Sequence, residues 1–238
     1  MINAMIFAAG LGTRLKPFTE NHPKALAEIN GVPLLAIALK KIECLGIKKV
    51  VVNVHHFADQ VISFIEKYES DNLQIQISDE RSQLMNTGGG LLKAAPLFDH
   101  HADILIYNVD VITNAPIDEL IKTHQLQKNL ATLMIQKRKA SRFLLFDSNN
   151  QLRGWRNPKT KEELWGNNPI DTIEMGFNGV QVIQGKLLEL MTNNQSFPII
   201  PEYIKLSEKY SVRGWSNWEG EWIDVGTTEK LEQASKLL

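Results

Sequence analysis

A short apolar run, Ala4-Met5-Ile6-Phe7, has the composition of a buried strand and breaks directly into Ala8-Ala9-Gly10-Leu11-Gly12-Thr13-Arg14. A Gly-x-Gly turn lets the backbone approach a ligand closely. Successive N–H groups in such a turn can form a nest for an anion, here lined by Ala8, Ala9, Gly10, Gly12 and Thr13. Arg14 follows at once, then Lys16 and Thr19, and the loop closes on Pro23-Lys24-Ala25-Leu26. Glycines, an arginine and a lysine converging after a first strand suit a polyphosphate. Two better-known loops do not fit. A dinucleotide fingerprint asks for a glycine near position 15, where leucine stands, and for an acid closing the second strand, which runs Val50-Val51-Val52-Asn53-Val54-His55. A P-loop needs Gly-Lys-Ser/Thr, and Gly185-Lys186 is followed by Leu187. An ordinary glycine turn with surface cations is the plain alternative.

Two acids, Asp110 and Asp224, are candidates beside this loop. Ile104 to Asp110 is nearly all apolar, as in a central strand buried on both faces. Asp110 then falls at the C-terminal end of that strand, where open α/β sheets bind ligands, unless it serves only as a turn aspartate. Asp224 lies in Glu221-Trp222-Ile223-Asp224-Val225-Gly226-Thr227, just before a final helical stretch that Asp224 or Thr227 can cap. Thr87-Gly88-Gly89-Gly90 opens another helix. Taken alone it reads as a hinge, although it also lets a flat base lie against the backbone.

The positioning elements follow from periodicity. Pro33–Leu45 and Phe57–Tyr68 read as helices, and Lys48–Val54 and Leu73–Ile77 as strands. This β-α-β-α-β order implies an α/β, Rossmann-like fold, a mostly parallel twisted sheet with helices on both faces. Further helices are expected at Ile117–Leu126, Gly185–Met191, Pro201–Lys209 and Glu229–Leu238, and a strand at Ala131–Ile135. After residue 141 the texture changes to short strands, Phe143–Phe146 and Leu152–Trp155, joined by an Asp147-Ser148-Asn149-Asn150 hairpin. All five tryptophans lie in this half, where packing a small β-layer is favoured over stacking on a ligand.

At 238 residues the chain suits one domain of two halves, 1–140 and 141–238 with the C-terminal helix. A formal charge of −1 gives no basic field for nucleic acid. No apolar run approaches the ~20 residues of a membrane span, and no basic segment marks a signal peptide. The single cysteine, Cys44, is expected as a buried thiol, and its solitude suits a cytoplasmic protein. The pairs His55-His56 and His100-His101 have no metalloenzyme spacing.

Ala8-Ala9-Gly10-x-Gly12-Thr13-Arg14-Leu15-x-Pro17-x-Thr19 with Pro23-Lys24-Ala25-Leu26 closely resembles the signature of the sugar-1-phosphate nucleotidyltransferases, also called nucleoside-diphosphate-sugar pyrophosphorylases. The likeness is greatest to short, single-domain members acting on N-acetylmuramate 1-phosphate, without the β-helical acyltransferase domain of bifunctional relatives. The resemblance implies the family fold with a small β-rich sugar-binding layer. It implies Mg²⁺ held by Asp110 and Asp224, Arg14 toward the β/γ-phosphates, and Lys24 near the reacting phosphates. Gly88 would lie beside the base, and Asn108, Glu174 and Asn178 would bind sugar hydroxyls.

The implied substrates are a nucleoside triphosphate, best UTP, and a sugar 1-phosphate, used by a monomer or small homo-oligomer. Phosphocholine-type cytidylyl transfer, mannose- or heptose-1-phosphate guanylyl transfer and a non-catalytic sugar-nucleotide sensor remain as alternatives. Three positions depart from the family pattern: Asn86 for glutamate, Val109 for glycine and Met175 for lysine. Lys24 is expected in a water-reached loop, its ammonium unpaired until substrates bind, and Asp110 among other acids. The implied metal site makes one demand on the fold: residues 110 and 224 must meet at one sheet edge.

Overall fold

The computed structural model describes residues 2–99, 101–167, 171–192 and 195–237. Its first half alternates as the hydrophobic periods require. Strand β1 (Ile2–Phe7) leads through the glycine loop to the short hairpin β2 (Glu28–Ile29) and β3 (Val32–Pro33), then α1 (Leu34–Cys44) and β4 (Lys49–Val54). Next come α2 (Ala58–Glu66), β5 (Gln74–Asp79), α3 (Asn86–Ala94) and β6 (Asp103–Asn108). The parallel order is β6-β1-β4-β5. Alternate residues of each strand serve opposite faces. Ala4, Ile6, Val50 and Val52 pack with Leu35, Leu39 and Val61 of α1 and α2. Met5 and Val51 pack with Leu91 and Ala94 of α3 on the other side.

The second half comprises β7 (Val111–Thr113), α4 (Ile117–Gln127), β8 (Ala131–Gln136), β9 (Phe143–Phe146), β10 (Leu152–Asn157) and β11 (Glu162–Trp165). It continues through β12 (Ile173–Ile183), α5 (Lys186–Leu190), α6 (Ile199–Leu206), β13 (Val212–Trp215), β14 (Trp222–Asp224) and α7 (Thr228–Ala234). Strand β12 joins the halves. Its C-terminal part runs antiparallel to β6 and β8, and its first residues pair with β9. The expected β-rich layer is therefore a continuation of the central sheet through β9, β10 and β11. Off that sheet, β14 pairs with β7, placing Asp224 opposite Val111.

Local chemistry sets the ends. The Thr227 hydroxyl accepts from Lys230 N and caps α7 as expected. Helix α6 starts at Ile199, earlier than expected, because Pro201 is tolerated in a first turn and the Ile199 N–H donates to Thr87 Oγ1 at 3.0 Å. Cys44 is exposed, not buried. It lies two residues past Ile42, the last buried position of α1, and so faces away from the core. Among the described residues, no helix is long and apolar enough to cross a membrane.

Asp147 makes the β9–β10 turn. Its Oδ1 accepts the N–H groups of Asn149 and Gln151, both at 2.9 Å, and its Oδ2 accepts Arg153 Nε at 2.9 Å. Burial alone would raise its pKa, but the Gln151 N–H and the Arg153 guanidinium outweigh that and hold the carboxyl below its ordinary value. A depressed folded pKa gives stability that is present above the unfolded pKa, about 3.9, and lost as pH falls through the folded value. Asp147→Ala is expected to cost about 2–3 kcal/mol at pH 7. In thermal melts the gap to wild type should hold from pH 7 to 5 and shrink below pH 4; a gap unchanged at low pH would rule out the charged turn.

Candidate active site

The loop after β1 is held from beneath. The Ala8 and Ala9 N–H groups both donate to Asn53 Oδ1, at 2.7 and 3.3 Å, and Asn53 Nδ2 donates to Glu80 Oε1 at 2.8 Å. Glu80 is fully buried, and its other oxygen accepts Met85 N at 3.1 Å, tying the start of α3 to the same node. Ala8 and Ala9 line the cleft, but their N–H groups are committed to Asn53. The available nest narrows to Gly10 through Thr13.

The two glycines differ in purpose. Gly12 has φ +62°, and a Cβ there would lie 2.8 Å from Lys24 Cβ and 2.9 Å from Thr19 Cγ2. A Cβ on Gly10 would meet nothing within 4 Å, so that side of the turn faces open cleft.

The cleft measures about 480 Å³ and brings Arg14, Lys24, Asn108 and Asp110 together with the loop. A recess of about 100 Å³ adjoins it, sharing Asn108 and Asp110 and adding Asn178 and Asp224. The meeting of residues 110 and 224 is a product of the β7–β14 ladder, reinforced by Val225 N donating to Asp110 O at 2.8 Å. Val109 keeps its side chain in the core, 5% exposed, while its N–H donates to Phe7 O at 3.1 Å.

Lys24 corrects one expectation. It is not an unpaired ammonium in water: its side chain is 10% exposed and forms an ion pair with Asp110. The reason is the close approach at Gly12, which lets the lysine stem pass behind the loop toward β6. Asp110 thus faces a cation rather than a cluster of acids. Buried beneath it, the Tyr107 phenol is pushed well above its ordinary pKa by desolvation and then by the Asp110 charge.

Asp224 meets Arg14 Nη2 at 3.9 Å, while its Oδ1 is buried without a hydrogen-bond partner among the described residues. Gly226 makes room for that pair, since a Cβ there would lie 2.8 Å from Arg14 Nη2. A buried carboxylate oxygen lacking any donor, beside a second carboxylate, suits a hard cation. Mg²⁺ commonly uses one or two carboxylates, with waters and phosphate oxygens completing its shell. Among the described residues there is no cluster of three or more His, Cys, Asp or Glu side chains, so any further ligands would come from water or substrate.

Two expected contacts are not brought to the site. Gly88 packs inside α3 against the Phe197 ring, which occupies the space its Cβ would need. Asn86 and Thr87 line the cleft instead. Glu174 accepts Arg156 Nη1 at 2.7 Å across β10 and β12, outside the recess. Asn178 does line the recess; it is fully buried, and its Nδ2 has no partner among the described residues.

Sequence reasoning missed Asn53, Glu80, Arg138 and Trp222. A polar Asn53 within an apolar strand was a readable signal. Arg138, inside Lys137-Arg138-Lys139, looks like any surface basic run. Burial lowers its guanidinium from the ordinary value, and Asp224 opposes this from beyond ion-pair distance. Trp222 lines the recess, whereas Trp215 and Trp218 stack on each other with centroids 6.3 Å apart and serve packing.

The nucleotidyl transferase family model matches residues 3–151. Over 111 residues the chain is 41% identical to the N-acetylmuramate alpha-1-phosphate uridylyltransferase of Caulobacter vibrioides, covering 46% of each protein. Over 229 residues it is 26% identical to the mannose-1-phosphate guanyltransferase of Emericella nidulans, covering 94% of this chain and 61% of that one. The chain therefore spans only about half to three-fifths of the length of these relatives. A putative glucose-1-phosphate thymidylyltransferase from Bacillus anthracis, solved in complex with a sucrose, has the same fold. The TM-score is 0.81 over 100% of this chain and 95% of that one, at 16% identity. With a family match over more than half its length and that family's fold, this chain belongs to the nucleotidyl transferase family.

Proposed function

We propose that the chain transfers a nucleotidyl group from a nucleoside triphosphate to a sugar 1-phosphate, giving a nucleoside-diphosphate sugar and pyrophosphate. The observation that carries this reading is the convergence of Lys24, Asp110 and Asp224 at the mouth of the glycine loop. Reaction at phosphorus is largely positioning and charge stabilisation, and these residues supply both.

The free N–H groups from Gly10 onward receive the β- and γ-phosphates, with the exposed Arg14 reaching the same oxygens. Asp110 and Asp224 would hold Mg²⁺, which neutralises phosphate oxygens when bound. Lys24, paired with Asp110 in the free protein, would face the α-phosphate. An oxygen of the acceptor phosphate forms a bond to the α-phosphorus as the bond to the α–β bridging oxygen breaks. The electron pair leaves with pyrophosphate. The attacking oxygen is already anionic, so no enzymic nucleophile or base is required.

UTP and N-acetylmuramate 1-phosphate are the preferred pair, supported by the 41%-identical uridylyltransferase. Guanylyl transfer to mannose 1-phosphate is the second reading, supported by the relative matched over 94% of this chain. A phosphocholine cage is disfavoured, because the face of Trp222 is covered by Arg138 with Cζ 4.2 Å from the ring centroid. Asn108 and Asn178 are the proposed acceptor-binding amides, and Leu84, Asn86 and Thr87 the wall for the base.

The test is pyrophosphate release with each triphosphate against a panel of sugar 1-phosphates and phosphocholine. Turnover is expected to require Mg²⁺ and both substrates, and to be fastest with UTP. Folded protein that binds nucleotide but turns over no acceptor would instead be a sensor.

A further inference from the structure

Arg138 stands just beyond β8, and its guanidinium lies across Gly176 of β12. A Cβ on Gly176 would sit 2.8 Å from Arg138 Nε and 2.9 Å from Cζ, so only glycine leaves this path open. Nε donates to Asn178 Oδ1 at 3.0 Å, Nη2 to Phe177 O at 2.7 Å, and Nη1 to Lys139 O at 3.2 Å. The plane rests on Trp222, whose Nε1 donates to Asn178 O at 2.8 Å.

Three of the five N–H bonds are used, leaving one on each terminal nitrogen. Phosphate oxygens accept from such guanidinium N–H groups. No ion pair among the described residues includes Arg138, so its charge is held in place without a contacting counter-ion.

The recess that Arg138 lines also holds Nδ2 of Asn178, a buried donor without a partner among the described residues. At about 100 Å³ the space suits a phosphate group, not a base, and it opens to the nucleotide cleft past Asn108 and Asp110. An anion there would lie beside the two acids without displacing Arg14 or Lys24, which line the cleft and not the recess.

We propose that Arg138, with Asn178 beside it, binds the phosphate monoester of the acceptor and turns its attacking oxygen toward the α-phosphorus. The role rests on the transferase reading above. It divides the cations by substrate: Arg14 and Lys24 serve the triphosphate, and Arg138 the acceptor.

Arg138→Gln should raise the acceptor KM about ten- to hundredfold, the loss expected for a charged two-point contact, with the triphosphate KM unchanged. Arg138→Lys keeps the charge but not the fork and should fall between. Inorganic phosphate should compete with the acceptor in wild type and more weakly in Arg138→Gln. An equal rise in both KM values, or a fall in kcat with both KM values unchanged, would make Arg138 a brace for β12 and overturn the proposal. If wild type turns over no substrate pair, the reaction reading fails on its own. The Arg138 site is then judged by titrating inorganic phosphate into folded wild type and Arg138→Lys. Weaker binding in the variant supports it; equal or absent binding overturns it.

Discussion

Lys24→Ala is expected to lower turnover about 10²–10³-fold at saturating substrates, and to lower the thermal midpoint as well. The kinetic part follows from losing a fixed charge at the reacting phosphates, worth about 3–4 kcal/mol of barrier by analogy with single electrostatic stabilisers. The stability part follows from burial. The Lys24 and Asp110 side chains are 10% and 21% exposed, and removing the ammonium strands a largely desolvated carboxylate. A cost of about 2 kcal/mol is reasonable for such a broken, partly buried pair.

A double-mutant cycle separates the two effects. Lys24→Met with Asp110→Asn should recover part of the lost stability, because neither partner is then left charged and alone. It should recover no activity. Additive stability losses would show that the pair is not coupled. Full turnover in Lys24→Met would remove the lysine from the reaction.

Asp224→Asn should lose about 10²–10³ in turnover without losing stability, unlike Asp110→Asn. Among the described residues its Oδ1 is buried without a donor, and its one ion pair is to an Arg14 that is 64% exposed, at 3.9 Å. A pair so open to solvent contributes about 0–1 kcal/mol. The amide keeps a polar atom at that position but removes the cost of desolvating a charge, so the midpoint should stay level or rise. Asp110→Asn takes the counter-ion from Lys24, and its midpoint should fall. Both variants should need more Mg²⁺ for half-maximal rate. A melt that falls equally in both, with Mg²⁺ dependence unchanged, would sink the proposed metal role.

These expectations differ from those a linear reading supports, and the difference is physical. The glycine loop, the parallel β-α-β-α-β succession and the N-terminal cap of α7 were legible because each rests on neighbouring residues. Turn conformations follow from Gly10 and Gly12, helical faces from a period of 3.6, and the α7 cap from Thr227 next to the helix it serves. The need for residues 110 and 224 to meet was also legible, as a demand of the resemblance, though nothing local in the chain shows how it is met.

What tertiary structure alone decided is who pairs with whom across long stretches of chain. Register in the β7–β14 ladder puts Asp224 opposite Val111, and no periodicity encodes a partner more than a hundred residues away. Packing gave Gly88 to Phe197 rather than to a base, and the strand order β10-β9-β12 brought Arg156 across β9 to Glu174. The missing Cβ at Gly12 let Lys24 pass inward to Asp110, turning an apparent loop cation into a buried ion pair. Arg138 is the clearest case. Only the close approach permitted by Gly176 on β12 draws one member of a three-residue basic run out of solvent and into the recess beside Asp224, because a side chain's environment is fixed by the strands that fold against it.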